Sequence, residues 1–153
     1  MWFTDLLLHI IILRIQRLTL NLLQTPMREG SYVALITPMT TTGKIDIPAL
    51  RSILKFHIDS GTDGICILGT TGEASLLTMD ERKTILDVAV EEVKGKIPIL
   101  VGTGTIDPSS VKEQTLQAID CGCDASLVVT PYYIKVSGAA GILSSKKIGL
   151  KDN

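Results

Sequence analysis

The chain has 153 residues, the size of one ordinary domain, and its 15 basic and 16 acidic residues give a formal charge of −1 at pH 7. This near balance argues against nucleic acid as a partner, because nucleic-acid binding needs a basic surface. Hydrophobic residues make up 45% of the chain and aromatic residues 4%. The sequence can therefore bury a core of aliphatic side chains, and intrinsic disorder is excluded.

Cysteine and histidine usage restricts the chemistry further. Cys66, Cys121 and Cys123 include no Cys-x-x-Cys pair, so neither a disulfide framework nor a zinc cage is predicted. The two histidines, His9 and His57, are too few for a multi-histidine metal site. We therefore predict a reduced, cytoplasmic protein without a metal ion.

Residues 1–26 differ in composition from the rest and are predicted to form a separate N-terminal extension with an apolar, amphipathic helix. Their apolar stretch is too short and too interrupted for a membrane span. From Ile11 on, apolar residues recur at helical spacing while Arg14 and Arg17 take another face. A helix for organelle import is one interpretation. An added extension before an original start at Met27 is the one that we favour.

Further along, short β-branched runs alternate with amphipathic stretches. The runs begin at residues 31, 64, 97 and 125, and a spacing of about 30 residues is the length of a βα unit whose next strand is parallel. Each run is apolar throughout, as in sheets that are covered on both faces. The sequence therefore predicts an α/β fold with a parallel sheet. The predicted strands are 31–37, 64–68, 97–103 and 125–130.

Helix boundary signals separate these runs. The first intervening stretch ends at Gly61, a residue suited to a left-handed C-terminal position. The second begins with a capping box formed by Thr78 and Glu81 and closes near Gly95. The third begins at Asp107, followed by a proline in the first helical turn. The apolar stripe of the first helix consists of Leu50, Ile53, Leu54 and Ile58.

In parallel α/β folds the chemistry lies beyond the carboxyl ends of the strands. Residues 69–73, Gly-Thr-Thr-Gly-Glu, follow the second run and suit a small carboxylate or phosphate, although a tight turn without a ligand is equally compatible. A phosphate site would need a basic neighbour, and the sequence places none there. Residues 102–104 lack the full dinucleotide-binding pattern. Residues 130–133, Thr-Pro-Tyr-Tyr, bring two phenols to the same rim, where a phenol can relay a proton.

Four segments, residues 33–39, 69–74, 102–104 and 129–133, resemble in order and spacing the dihydrodipicolinate synthase and N-acetylneuraminate lyase family. The resemblance implies a TIM (β/α)8 barrel that acts as a class I aldolase on pyruvate. The paired threonines look more like the branch that condenses pyruvate with aspartate semialdehyde in lysine biosynthesis. A related pyruvate aldolase, such as N-acetylneuraminate lyase, is the alternative within the family.

The resemblance also implies roles for individual residues. Thr71 and Gly72 would bind the pyruvate carboxylate, and Thr70 would belong to a hydroxyl relay that moves protons. Tyr133 resembles a relay tyrosine that reaches into a neighbouring subunit's site, so we expect a homo-oligomer. Lys151 resembles the lysine that forms the Schiff base. We expect a small-molecule substrate, pyruvate, with no cofactor, no nucleic-acid partner and no membrane span.

The chain departs from the family's pattern after residue 135. A complete barrel needs eight βα units and about 250 residues. Residues 27–135 are therefore expected to form the N-terminal half of a barrel, and residues 136–153 an irregular join with a fragment resembling the sixth strand. An exposed Lys151 would keep a pKa of about 10.4 and stay protonated at neutral pH. We predict weak or no activity for this chain, and the alternative is a non-catalytic half-barrel that associates with full-length subunits through its open sheet edges.

Overall fold

The computed structural model describes residue 27, residues 29–93 and residues 95–132. The predicted extension 1–26, the join and sixth-strand fragment 136–153, and the site residues Tyr133 and Lys151 lie outside the described residues. Among the described helices, none has the length and apolar character that crossing a membrane requires.

Strands and helices alternate along the described part of the chain. The strands are β1 (Tyr32–Ala34), β2 (Gly64–Ile67), β3 (Ile99–Gly102) and β4 (Ala125–Leu127). The helices are α1 (Ile47–Asp59), α2 (Met79–Val93) and α3 (Pro108–Cys121), with a short 3-10 turn, Ala74–Leu76, before α2. The strands lie in the order β1-β2-β3-β4 and every neighbouring pair is parallel. The predicted α/β fold is confirmed.

The helix boundaries follow the predicted capping signals. The Glu81 carboxylate accepts a hydrogen bond from the Thr78 N–H at 2.9 Å, and the Thr78 hydroxyl accepts one from the Glu81 N–H at 3.3 Å. These contacts form the predicted capping box, and hydrogen bonds from Thr78 lower the pKa of Glu81. The Asp107 carboxylate accepts the Ser110 N–H at 2.8 Å and caps α3. Gly61, just beyond α1, has a φ of +72°.

The hydrophobic core lies between the sheet and the helices. Ile65 and Ile67 of β2 and Ile99 and Val101 of β3 are almost completely buried. They belong to one cluster with the apolar stripes of α1 and α2, because a parallel sheet buries its strands beneath the crossover helices. The buried helix residues of this cluster are Leu50, Leu54, Ile85, Leu86, Val88, Ala89, Val93 and, on α3, Ala118.

The two outer strands are less covered than the sequence suggests. All of β2 is buried, whereas β1 and β4 have only half-buried and exposed residues. The prediction that every strand is covered on both faces is therefore wrong for β1 and β4. The inner face of a barrel strand is covered by the opposite wall, and the four described strands form a single wall. Regular strand structure also ends earlier than predicted, at Ala34 in β1 and at Leu127 in β4.

Candidate functional site at the carboxyl ends of the strands

A cavity of about 470 Å³ opens at the carboxyl ends of β2, β3 and β4. Thr70, from the turn after β2, and Tyr132, from the corner after β4, both line it. Thr70 and Tyr132 therefore share one mouth, because parallel strands bring their carboxyl ends to the same rim. The other lining residues are Leu68, Gly69, Ala74, Ser75, Gly102, Gly104, Leu127 and Val129.

Backbone hydrogen bonds wind the turn after β2 tightly. The Gly72 N–H donates to the Gly69 carbonyl at 3.1 Å, and the Glu73 N–H donates to the Thr70 carbonyl at 3.1 Å. The two residues that flank this turn, Leu68 and Glu73, have φ values of 54° and 53°. Non-glycine residues rarely adopt this left-handed conformation, and such strain clusters at ligand-binding and catalytic sites.

The predicted site residues of this turn occupy different environments. Thr70 and Thr71 are exposed, and neither hydroxyl contacts another hydrogen-bonding group among the described residues, so both are available to a ligand. Thr70 lines the cavity, whereas Thr71, the next residue of the turn, is not among its lining residues. Gly72 is buried, and its carbonyl accepts a hydrogen bond from the Thr37 hydroxyl at 2.8 Å. The two other predicted site residues, Tyr133 and Lys151, lie outside the described part of the chain.

Thr37 is a structural residue of the site to which the sequence analysis gave no role. Its hydroxyl connects the segment after β1 to the turn after β2 through Gly72. A side chain at Gly72 would begin 3.2 Å from the Leu35 carbonyl and 3.3 Å from the Thr37 hydroxyl. Thr37 lies within the segment 33–39 that carries the resemblance. Its contact depends on a turn far along the chain, so residue spacing alone does not reveal it.

Gly102 and Gly104 allow neighbouring strand ends to approach closely. A Cβ atom at Gly102 would clash with the Leu68 carbonyl group, and one at Gly104 would clash with the backbone of Val129. These glycines therefore bring the end of β3 against the residues that follow β2 and β4. Their spacing is explained by packing, in agreement with the rejection of a dinucleotide-binding loop.

Arg82 lies buried behind this rim and was also missed by the sequence analysis. Its side chain is 2% exposed, and Nη2 donates to the Gly102 carbonyl at 2.8 Å. Burial lowers the pKa of the Arg82 guanidinium. Arg82 fixes the carboxyl end of β3 from the helix side. One feature of the sequence could have identified Arg82: it is a charged residue on the otherwise apolar stripe of α2. This stripe continues through Ile85, Leu86, Ala89 and Val93.

The described residues contain no group of three or more histidine, cysteine or acidic side chains that could hold a metal ion. The nearby thiol is that of Cys66, whose pKa is raised by burial. The chemical resources of the described rim are therefore hydroxyl groups, backbone dipoles and apolar walls. These groups can bind a small anion and orient it.

Four consecutive parallel strands, joined by helices and carrying a cavity at their carboxyl ends, define part of a (β/α) barrel enzyme fold with its site at the rim. The sequence comparison identifies which barrel. Residues 27–144 match the sequence model of the dihydrodipicolinate synthetase family. The chain belongs to this family, so the predicted family and its partial barrel fold are confirmed.

Individual relatives agree with this assignment. The chain is 48% identical over 109 residues to the 4-hydroxy-tetrahydrodipicolinate synthase of Coxiella burnetii, a match that covers 71% of this chain and 38% of the relative. It superposes on the dihydrodipicolinate synthase of Aquifex aeolicus with a TM-score of 0.75 and 38% identity, over 79% and 41% of the two chains. The chloride-inhibited synthase of Acinetobacter baumannii, solved with pyruvate, superposes with a TM-score of 0.76 and 39% sequence identity. This match covers 78% of this chain and 41% of that chain. The chain spans well under half the length of these relatives.

Proposed function

We propose that the cavity beside the turn 69–72 binds pyruvate, and that the family chemistry of this site is a Schiff-base lyase reaction of the dihydrodipicolinate synthase type. The observation that carries the proposal is the single cavity lined by both Thr70 and Tyr132 at the carboxyl ends of the strands. Further support comes from the relative of Acinetobacter baumannii, which was solved with pyruvate. The proposal includes a cytoplasmic location and a place in lysine biosynthesis.

The turn suits a small carboxylate. Thr71 would donate its free hydroxyl to the pyruvate carboxylate, and Thr70 would act in proton relay at the cavity wall. The Gly72 N–H already donates to the Gly69 carbonyl, so Gly72 would contribute through its compact shape rather than through its amide. Leu68, Leu127 and Val129 form apolar walls of the cavity. A keto acid thus finds donors on one side and apolar surface on the other.

We propose that Lys151 supplies the amine. The neutral amine would attack the keto carbon of pyruvate, and loss of water would leave an imine. Removal of a methyl proton then gives an enamine that can add to the aldehyde of aspartate semialdehyde. Thr70 and Tyr133 would carry the protons that the carbinolamine gains and loses.

The 153-residue chain would catalyse this reaction weakly or not at all by itself. A lysine with its ordinary pKa of about 10.4 is neutral in roughly one of a few thousand molecules at pH 7. Enclosure in a barrel lowers the pKa of a lysine, and this chain covers only 38% of its Coxiella burnetii relative. A second candidate function, a non-catalytic half-barrel that associates with full-length subunits, is favoured by the partly exposed strands β1 and β4.

Borohydride reduction in the presence of pyruvate tests the catalytic role of Lys151. An imine is converted into a stable secondary amine, which peptide mass spectrometry locates. We expect the adduct on Lys151 in the unaltered chain and in Lys146→Arg, and no adduct in Lys151→Arg. An adduct missing from Lys151 under every condition, oligomeric samples included, would remove the catalytic role.

Calorimetric titration with pyruvate tests the binding site separately. Thr71→Val removes a hydrogen bond to a charged group, which is worth about 1.5–3 kcal/mol and corresponds to roughly a tenfold to hundredfold loss of affinity. Thr84→Val on α2 is the matched control and should bind pyruvate as the unaltered chain does. Equal affinities for the two variants would contradict the proposed carboxylate site.

A further inference from the structure

β1 and β4 are the two edges of the described sheet, and each has one neighbouring strand. Apolar side chains on these strands or just beyond them are about half exposed: Ile36 is 53%, Leu127 50% and Val129 48% exposed. Parallel sheets are normally covered on both faces, and an uncovered edge is a template for pairing with another strand. These edges are therefore a candidate interaction surface.

The pair β3-β4 repeats the arrangement of the pair β1-β2. The Ser31 N–H donates to the Asp63 carboxylate at 2.8 Å, and the Ile99 N–H donates to the Asp124 carboxylate at 2.8 Å. Asp63 directly precedes β2 and fixes the start of β1, and Asp124 directly precedes β4 and fixes the start of β3. By this contact β3 corresponds to β1, and β4 corresponds to β2.

The correspondence continues at the opposite ends of the strands. The Leu35 N–H donates to the Cys66 carbonyl at 2.9 Å, and the Thr103 N–H donates to the Leu127 carbonyl at 3.1 Å. The strand registers agree with the same correspondence along both pairs. The fold therefore contains two copies of one two-strand unit, joined where β2 pairs with β3.

This internal junction shows how the free edges can pair. In the internal junction, one edge of β2 pairs with one edge of β3. Because β4 corresponds to β2, the free edge of β4 matches the paired edge of β2. Because β1 corresponds to β3, the free edge of β1 matches the paired edge of β3. We propose that two copies of this chain associate about a twofold axis, β4 of each pairing in parallel with β1 of the other, to close one eight-stranded barrel. Ile65 lies opposite Ile99 in the internal junction. The corresponding pair between copies is Ser126 and the partner's Ser31.

The strand register agrees with closure. Opposite residues lead across the sheet from Ala34 through Cys66 and Leu100 to Ala125. The proposed junction continues from Ala125 to the partner's Gly30. A path that crosses the four strands of one copy therefore returns to β1 four residues earlier in the sequence, at position 30 instead of 34. Crossing the second copy adds another four residues, so the total displacement along the strand is eight. A shear of eight is the value for the eight-stranded TIM barrel, so two copies have the stagger that closure requires.

A second copy would also complete the cavity. Leu127 and Val129 form its wall on the β4 side and are exposed there. The partner's β1 would lie against this wall and cover it with apolar residues. Burial of apolar surface from both sides is the main driving force for association. The occupant that we infer is thus a copy of this chain, because its β1 supplies the matching edge in the matching register.

Native mass and site-directed cross-linking test the proposal. The full chain should sediment at twice 16.5 kDa. The double variant Ser31→Cys, Ser126→Cys should form a covalent dimer on mild oxidation. Within one copy the two positions are three strand spacings apart across the sheet, roughly 14 Å, and four residues apart along it, roughly 13 Å, whereas a disulfide needs Cα atoms within about 7 Å. The matched control is Ser31→Cys, Ser109→Cys, which places the second thiol on α3.

We expect at least tenfold more covalent dimer from the designed pair than from the control pair, and none from the unaltered chain with its native cysteines. A monomeric mass for the unaltered chain overturns the proposal. Association that requires added full-length relative overturns it as well, as does equal cross-linking of the two pairs. The inference does not rest on the proposed function, because neither measurement depends on pyruvate.

Discussion

The substitution Gly102→Ala tests the close approach of strand ends at the rim of the cavity. A Cβ atom at this position would clash with the Leu68 carbonyl oxygen and would lie 2.7 Å from the carbonyl carbon and 2.9 Å from the Gly69 Cα atom. All three neighbours are backbone atoms, which cannot rotate away as a flexible side chain can. The added methyl group must therefore push the end of β3 away from the residues that follow β2.

The expected loss of stability follows from these contacts. Inserting a methyl group into a well-packed region costs about 1–3 kcal/mol, and backbone neighbours favour the upper end of this range. Alanine restricts the unfolded chain more than glycine does, which offsets up to about 1 kcal/mol. The net loss in the free energy of unfolding is then about 2 kcal/mol. This loss lowers the ratio of folded to unfolded protein roughly thirtyfold and the midpoint of thermal unfolding by about 6 °C.

Urea unfolding followed by far-ultraviolet circular dichroism, at one fixed protein concentration, measures this loss. The control is Gly69→Ala, which adds the same methyl group to the same cavity wall. Its nearest neighbour is the Cys66 sulfur at 3.7 Å, an ordinary van der Waals contact. We expect the control to stay within about 0.5 kcal/mol of the unaltered chain. Equal unfolding midpoints for the two variants would refute the packing explanation.

Three further substitutions test contacts behind the site. Thr37→Val should cost about 1 kcal/mol in urea unfolding because it removes the hydrogen bond that fixes the threonine turn. It should also weaken calorimetric pyruvate binding, and Thr37→Ser should restore both. Arg82→Met leaves the carbonyl at the end of β3 without its buried donor, so we expect a loss of about 1–3 kcal/mol. Lys83→Met removes only an exposed ion pair with Asp87 and should have a much smaller effect. Asp107→Ala should lower the urea midpoint at pH 7. Hydrogen bonds from Ser110 lower the pKa of Asp107 in the folded state. The stabilisation by the ionised Asp107 side chain is therefore complete at pH values above its unfolded pKa of about 3.9. It is lost as the pH falls through the lower pKa of the folded state. The difference between the two chains should narrow in acid, and a difference that is constant from pH 7 to pH 2 would contradict the assigned cap.

The carboxyl-end rule made part of the candidate site predictable. Once the sequence indicates parallel strands, the residues after each strand must meet at one rim. This reasoning placed Thr70 and the Pro-Tyr-Tyr corner together without any coordinates. It did not reveal Thr37 or Arg82, because each acts through a single contact with a residue far along the chain. The steric need for Gly102 likewise depends on its neighbour after β2.

The sequence by itself determined where most of the elements begin. Thr78, Glu81 and Asp107 act on amides within one helical turn, and such local hydrogen bonds form in the same way whatever surrounds the helix. The starts of β1, β2 and β4 followed, to within one residue, from the repeated spacing of apolar runs, whereas β3 begins at Ile99, two residues after the start of its run. Tertiary structure alone decided where the strands end and which faces are covered, because a strand continues only as far as a neighbour supplies hydrogen-bonding partners and apolar cover. Within the described sheet, β1 and β4 have such a neighbour on one side, and they are accordingly shorter and more exposed than their sequences suggest.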